Sequence, residues 1–353
     1  MGKHGKEKKK TSALKIIGII FLILLVLIVI LAGIGIGFVY TKLGQMNVEE
    51  IDETAIGIDQ STQERLSKYR NIAIFGIDSR ADDYGLGNRS DCIIITSLNQ
   101  ETKDIKLISV YRDTYMQVES NGKQILDKVT HAYSYGGAQN AVKALNTNLD
   151  LNITEYVTVN FDSVIAAVDA MGGVTIDIDS SELKYINDYI DTTSKSSGKK
   201  SKSITRTGKQ TLDGVQAVAY SRIRYTEGGD YKRTERMRTV ITAMLTKAKT
   251  LSIGQLNNLV DTILPRVSTN ITATEIIGLA PSIASFNITE SMGWPYKTQG
   301  ITLDRWYGVP VTLESNVEKL HKEVFEQADY VVSETVKNIS NKIIKKTGYK
   351  QEN

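Results

Sequence analysis

The chain has 353 residues with 43 Lys and Arg against 40 Asp and Glu, three His and a single Cys, enough for one large domain or two small ones. Residues 1–15 hold six Lys and one Glu, a net +5 against +3 for the whole chain, so everything after them sums to −2 and offers no basic surface for nucleic acid. The lone Cys92 excludes an internal disulfide and reads as a small buried apolar residue.

From Ile16 to Tyr40 run 25 uncharged residues rich in Ile, Leu and Val, long enough to span a bilayer with some tilt. Lys before that span and few basic residues just after it predict a cytoplasmic N-terminus. The expected order is a cytoplasmic basic tail over 1–15, a single-pass transmembrane signal anchor over 16–40, and an extracellular body on the cell membrane. An exported body without disulfides above an uncleaved anchor points to a Gram-positive surface. Residues 41–70 are polar and read as a stalk.

Residues 71–77 predict a buried strand ending at Asp78, and 92–98 a second one preceded by Asp91. A third, 105–111, is followed by Arg112. The short turn between the second and third implies an antiparallel hairpin, which sets Arg112 beside Asp91. A first strand lying alongside the third, in the same direction, would gather Asp78, Arg89, Asp91 and Arg112 at one rim. Residues 137–148 and 163–170 carry helical apolar spacing, while 156–160 and 174–178 read as strands. The Ser- and Lys-rich stretch 192–210 reads as a mobile surface loop. Asp213 suits an N-cap. A long helix is expected from about Tyr231 to Leu251, with Met237, Val240, Ile241 and Met244 on one stripe and Arg233 on the same stripe a turn earlier. This alternation predicts an α/β fold, an α-β-α sandwich with a mixed central sheet over 71–325. A C-terminal helical tail follows over 326–353.

Only 13 of the 43 basic residues are Arg, yet five of them, at 222, 224, 233, 236 and 238, fall within residues 220–238 beside a single Lys. Arg replaces Lys where a planar fork must grip phosphate or carboxylate oxygens in fixed geometry. The residues leave two readings open: a salt-bridge network tying strand ends together, or a divalent cation held by carboxylates with phosphate oxygens completing its shell. Asp ligands without nearby His or Cys favour Mg²⁺ or Mn²⁺ over Zn²⁺. No nucleophile elbow, Walker or dinucleotide glycine pattern is present.

Several segments resemble, in order over about residues 71–250, the motifs of the LytR-CpsA-Psr family. They are Phe75-Gly-Ile-Asp-Ser-Arg80, Asn88-Arg-Ser-Asp91, Ser109-Val-Tyr-Arg-Asp-Thr114, Val168-Asp-Ala-Met-Gly-Gly-Val174, Leu212-Asp-Gly-Val-Gln-Ala-Val-Ala-Tyr-Ser-Arg-Ile-Arg224 and Gly229-Asp-Tyr-Lys-Arg-Thr-Glu-Arg236. The resemblance implies a phosphotransferase that moves an anionic glycopolymer, wall teichoic acid or capsular polysaccharide, from a polyprenyl pyrophosphate carrier to peptidoglycan. It implies Mg²⁺ on Asp78 and Asp91, and pyrophosphate held by Arg89, Arg112, Arg222, Arg224 and Arg233. Arg112, Asp91 and Asp230 would form the catalytic set, and a polyprenyl tunnel would be lined by the 138–145 and 237–245 stripes. Two positions depart from the family pattern: Tyr111 stands for its Pro, and Met237 for its Gln. The alternatives are a non-catalytic module that binds lipid-linked polymer, and a polyprenyl pyrophosphate hydrolase.

Overall fold

A computed structural model describes residues 47–79, 83–248, 250–271 and 287–350, so the expected tail and anchor (1–15 and 16–40) lie outside the described residues. The chain runs β1 (Asn47–Val48), α1 (Gln60–Arg65), β2 (Tyr69–Ile77), β3 (Ser90–Asn99), β4 (Asp104–Val110), β5 (Tyr115–Ser120), β6 (Lys123–Lys128), α2 (Val129–Leu149), β7 (Glu155–Asn160) and α3 (Phe161–Ala170). It continues with β8 (Val174–Ile178), α4 (Ser180–Ser197), β9 (Gly208–Leu212), α5 (Gly214–Arg222), α6 (Gly229–Ala248), α7 (Ile253–Ile263) and β10 (Val267–Thr269). Last come β11 (Asn287–Trp294), β12 (Thr298–Thr302), β13 (Trp306–Pro310), α8 (Leu313–Val324) and α9 (Glu334–Thr347).

Seven strands form one mixed sheet in the order β1-β10-β7-β2-β3-β4-β11. β3 runs antiparallel to both β2 and β4, while β7 is parallel to β2 and β11 parallel to β4. The first long strand therefore lies beside the second and not, as expected, beside the third. The rim survives this change because direction alone decides it. β2, β4, β7 and β11 all end where β3 begins, and ligands of open α/β sheets sit outside such carboxyl ends.

Strand alternation divides the core into two layers. Ile72, Ile74, Ile94 and Val157 pack under α3, α5 and α6, whereas Ala73, Phe75, Ile93 and Tyr156 face α2, α8 and α9. Helices thus cover both faces, as the sandwich reading requires.

Three segment boundaries differ from expectation. Residues 47–70 are folded onto the domain: β1 pairs with β10, and Ile56 and Leu66 are fully buried. The expected C-terminal tail is likewise part of the core, because α9 buries Val336, Ile339 and Ile343 at helical spacing beside α2 and α8. Within the expected loop 192–210, α4 continues to Ser197 and stops at Gly198, whose φ of 68° suits the left-handed conformation open to glycine. The rest is pinned: Asn187 bonds both the N–H and the C=O of Ile204, Ser201 donates to Asp213, and β9 pairs with β8.

Candidate active site

Asp91 owes its position to a register shift. Gly76 pairs with Cys92 but Ile77 pairs with Ser90, which leaves Asp91 as the extra residue of a bulge at the rim. Bulges of this kind re-aim a side chain out of the pleat. Gly76 permits the close strand approach there, since a Cβ on it would lie 2.8 Å from that of Cys92.

Arg112, just past the end of β4, reaches across to Asp91, with Nη1 donating to Oδ1 at 2.5 Å. Its Nε lies 3.4 Å from Asp113 and 3.8 Å from Asp230. The first turn of α6 supplies the other side. Arg233 is 2% exposed, with Nη2 2.9 Å from Asp230 and Nη1 3.5 Å from Asp91. Arg224, in the loop before α6, stands 3.7 Å from Asp91 and 3.9 Å from Asp230. Lys128 completes the group at 2.7 Å from Asp113. Four cations thus meet three carboxylates at the rim.

Burial opposes charge on Arg112, but Asp91, Asp113 and Asp230 outweigh it and hold the guanidinium pKa above its ordinary value. Burial raises the Asp230 pKa, with Arg112 and Arg224 pulling the other way. Despite this company, the Nε groups of Arg112 and Arg233 are buried without a hydrogen bond, and Arg233 Nη2 meets Asp230 only as an ion pair. Buried N–H groups left in that state are costly unless a ligand satisfies them.

Behind Asp91 opens an apolar cavity of ≈ 80 Å³ between the sheet and helices α3, α5 and α6. Ile74, Cys92, Val159, Val164, Met237 and Met244 are among its walls. Cys92 is half-buried as a wall of this cavity and not fully buried as its sequence context suggested. Desolvation pushes its thiol up to about 12, which keeps it neutral and apolar there. The 237–245 stripe contributes to this cavity. The 138–145 stripe does not: Ala138, Ala141, Val142 and Leu145 pack on the opposite face of the sheet, in the other core layer. Helical spacing alone does not say which face of a sheet a helix covers.

Phe161 and Val218 are shared with a polar pocket of ≈ 230 Å³ that contains Asp78, Thr193 and Arg222. Arg222 Nη1 donates to Thr193 at 2.8 Å, and its guanidinium lies over the Phe161 ring. Asp78 and Arg222 therefore line one compartment, and Asp91, Arg112, Arg224, Arg233 and Asp230 form the adjoining one. Arg89 is exposed and has no ion pair among the described residues; it lies close enough to Tyr135 to oppose the rise of that phenol to about 12 that burial causes. Asp113 and Lys128 escaped the sequence reading, although the Arg112-Asp113 dipeptide is itself a signal. Arg236 lies apart from the cluster, bonded to Glu182 at 2.8 Å and to the Ile223 carbonyl.

The two departures from the family pattern are accommodated locally. Tyr111 meets Tyr231 edge-on at 4.6 Å, and Gly293 makes room for its hydroxyl, which a Cβ there would overlap. Met237 is a wall of the apolar cavity. For a divalent cation, Asp78 and Asp91 offer only oxygen donors at the ends of neighbouring strands. No group of three or more His, Cys, Asp or Glu that could hold a metal occurs among the described residues. That donor set is compatible with Mg²⁺, which takes one or two carboxylates and completes its shell with water and substrate phosphate.

The family model described as the LytR_cpsA_psr family matches residues 38–323. TagU of Enterococcus faecalis, named a polyisoprenyl-teichoic acid–peptidoglycan teichoic acid transferase, is 33% identical over 245 residues, which is 68% of this chain and 73% of that protein. TagT of Bacillus subtilis, named likewise, is 30% identical over 264 residues, 73% and 76% of the two chains. A solved structure described as the LytR-CPS2A-psr family protein YwtF (TagT) with bound octaprenyl pyrophosphate lipid aligns at a TM-score of 0.51 and 25% identity, over 74% of this chain and 92% of that one. With the motifs, the mixed sheet and the rim of Arg and Asp in agreement, this chain belongs to the LytR-CpsA-Psr family.

Proposed function

We propose that this protein transfers an anionic glycopolymer of the wall teichoic acid or capsular type from a polyprenyl pyrophosphate carrier to peptidoglycan, anchored in the cell membrane with its active site outside. The observation that carries this reading is the contact between two unlike compartments. A cavity walled by apolar side chains opens at Asp91, where buried guanidinium N–H groups lack hydrogen bonds. A lipid pyrophosphate has that same division, a tail that needs a dry cavity and a headgroup that needs cations.

In this reading Arg112, Arg224 and Arg233 grip the pyrophosphate, and Arg222 and Arg89 receive the polymer side of the headgroup. Asp78 and Asp91 would hold Mg²⁺ or Mn²⁺, which when bound neutralises diphosphate charge. An acceptor hydroxyl oxygen forms a new bond to the sugar-linked phosphorus, and the bond from that phosphorus to the bridging oxygen breaks, releasing polyprenyl phosphate. The hydroxyl proton passes to Asp230, whose raised pKa makes it a better base than an ordinary carboxylate. The Arg set stabilises the charge developing on the leaving phosphate.

Incubating the full-length chain in detergent with carrier-linked polymer and glycan acceptor, followed by mass spectrometry, tests the reaction class. A polymer–glycan phosphodiester is expected. Free polymer phosphate would mean hydrolysis, and unchanged donor would mean a binding module. The cavity is narrow, about 80 Å³, and Val164 is one of its walls. Val164→Trp fills that space and should weaken polyprenyl phosphate binding by about tenfold or more. Unchanged affinity in a folded variant would place the tail elsewhere.

A further inference from the structure

The β12–β13 hairpin lies outside the motifs and plays no part in the chemistry above, yet it adjoins the site. Its cross-strand pairs alternate between two faces. Tyr307 and Val309 point into the core. The opposite face carries Thr298, Gly300, Thr302 and Trp306, which reach solvent, and Gly308 and Pro310, which are buried, with no charge among them. Trp306 lies across the directly paired Gly300 and Gly308. A Cβ on Gly300 would meet indole Nε1 at 2.8 Å, and one on Gly308 would come 3.6 Å from Cη2. The indole nevertheless remains 44% exposed.

This face leads to the reaction centre. Gly308 N–H donates to the Asp113 carbonyl at 2.9 Å, and Asp113 is an ion-pair partner of Arg112. Thr298 lies beside the Tyr231 hydroxyl, and Tyr231, 41% exposed, directly follows Asp230. An uncharged strip edged by two exposed aromatics thus runs from Trp306 to Tyr231, the residue that follows the carboxylate assigned as base. The hairpin turn holds Asp304 and Arg305, which neutralise each other at 2.8 Å.

We infer that the outward face of the β12–β13 hairpin, from Trp306 to Tyr231, is the subsite for the acceptor, a glycan strand whose sugar rings stack on Trp306 while one hydroxyl is presented at Asp230. The inference rests on the transferase reading. Pyranose C–H groups carry partial positive charge and pack on the electron-rich faces of aromatic rings. An uncharged strip suits the sugar rings of such a strand. A polyanionic donor polymer is better served by the exposed Arg224 across the site. Gly300 acts as a positioning residue, since any larger side chain there displaces the indole.

The test uses the full-length chain in detergent with a carrier-linked donor and uncharged β-linked N-acetylglucosamine oligomers as acceptor. Trp306→Ala and Gly300→Val should each raise the acceptor KM by about tenfold while leaving the donor KM unchanged, and Trp306→Phe should recover much of the loss. An unchanged acceptor KM in Trp306→Ala, with wild-type transfer intact, overturns the inference and leaves the transferase reading standing. Binding is read separately, because Trp294 is buried and Trp306 is the exposed indole of the chain's two. Oligomer without donor should change tryptophan fluorescence saturably in the wild type and not in Trp306→Ala. That response persisting in a protein that transfers nothing would sink the transferase reading alone. A response only to a phosphate-containing donor polymer, or a Trp306→Ala effect confined to thermal stability, overturns the assignment of this face to the acceptor.

Discussion

Arg112→Ala is expected to lower the rate of phosphodiester formation by about 10²–10³-fold or more, the scale of losing a donor that meets developing charge in the transition state. Arg112 is the one cation that touches all three rim carboxylates, bonded to Asp91 at 2.5 Å and within 3.4 and 3.8 Å of Asp113 and Asp230. Its removal takes a guanidinium from the pyrophosphate and also leaves those carboxylates repelling one another. Arg112→Lys should restore little, because an ammonium keeps the charge but not the fork. Initial rates of the full-length chain in detergent, with folding checked by circular dichroism, decide the matter; wild-type rates in the folded Ala variant would remove Arg112 from the chemistry. Arg222→Ala should act differently, raising the donor KM, because Arg222 stands in the neighbouring polar pocket with Asp78.

Arg236→Ala should cost about 3–5 kcal/mol of folding stability while leaving the turnover of each folded molecule near wild type, since breaking a buried ion pair strands its partner. Arg236 and Glu182 are 4% and 8% exposed and 2.8 Å apart, and Arg236 also bonds the Ile223 carbonyl and Thr226. Glu182 in turn closes the capping box of α4 by accepting from the Asp179 N–H. The pair therefore ties α4, the loop carrying Arg224 and the start of α6 together. Replacing both partners by apolar residues of similar volume should recover most of the loss. Denaturant unfolding of the single and double variants measures this. A stable Arg236→Ala protein that has lost its turnover would instead move Arg236 into the site.

The five Arg of residues 220–238 thus do at least two jobs, and composition could not separate them. An excess of Arg over Lys marks a place where guanidinium geometry is used. It does not say whether the partner is a ligand or a carboxylate of the same chain. The burial of Arg233 was legible because it shares the Met237–Met244 stripe at helical spacing, whereas the Glu182 partner of Arg236 lies 54 positions away on another helix. The strand ends carrying Asp78, Asp91 and Arg112 were legible from short turns and apolar runs. The acceptor hairpin was not, because its outward face mixes Thr, Gly, Trp and Pro without the alternation of a half-buried strand.

By itself the sequence determined which residues share an element and which element ends coincide, because side-chain period and turn length are local properties of the backbone. It also marked the rim as a place where guanidinium groups meet carboxylates, while leaving open whether they serve a ligand or one another. Only the tertiary structure decided the strand order, the face of the sheet that the 138–145 stripe covers, the division of the Arg residues between site and scaffold, and the folding of 47–70 and α9 into the domain. Those outcomes depend on contacts between residues far apart in the chain, and a periodic pattern fits either face of a sheet until packing selects one.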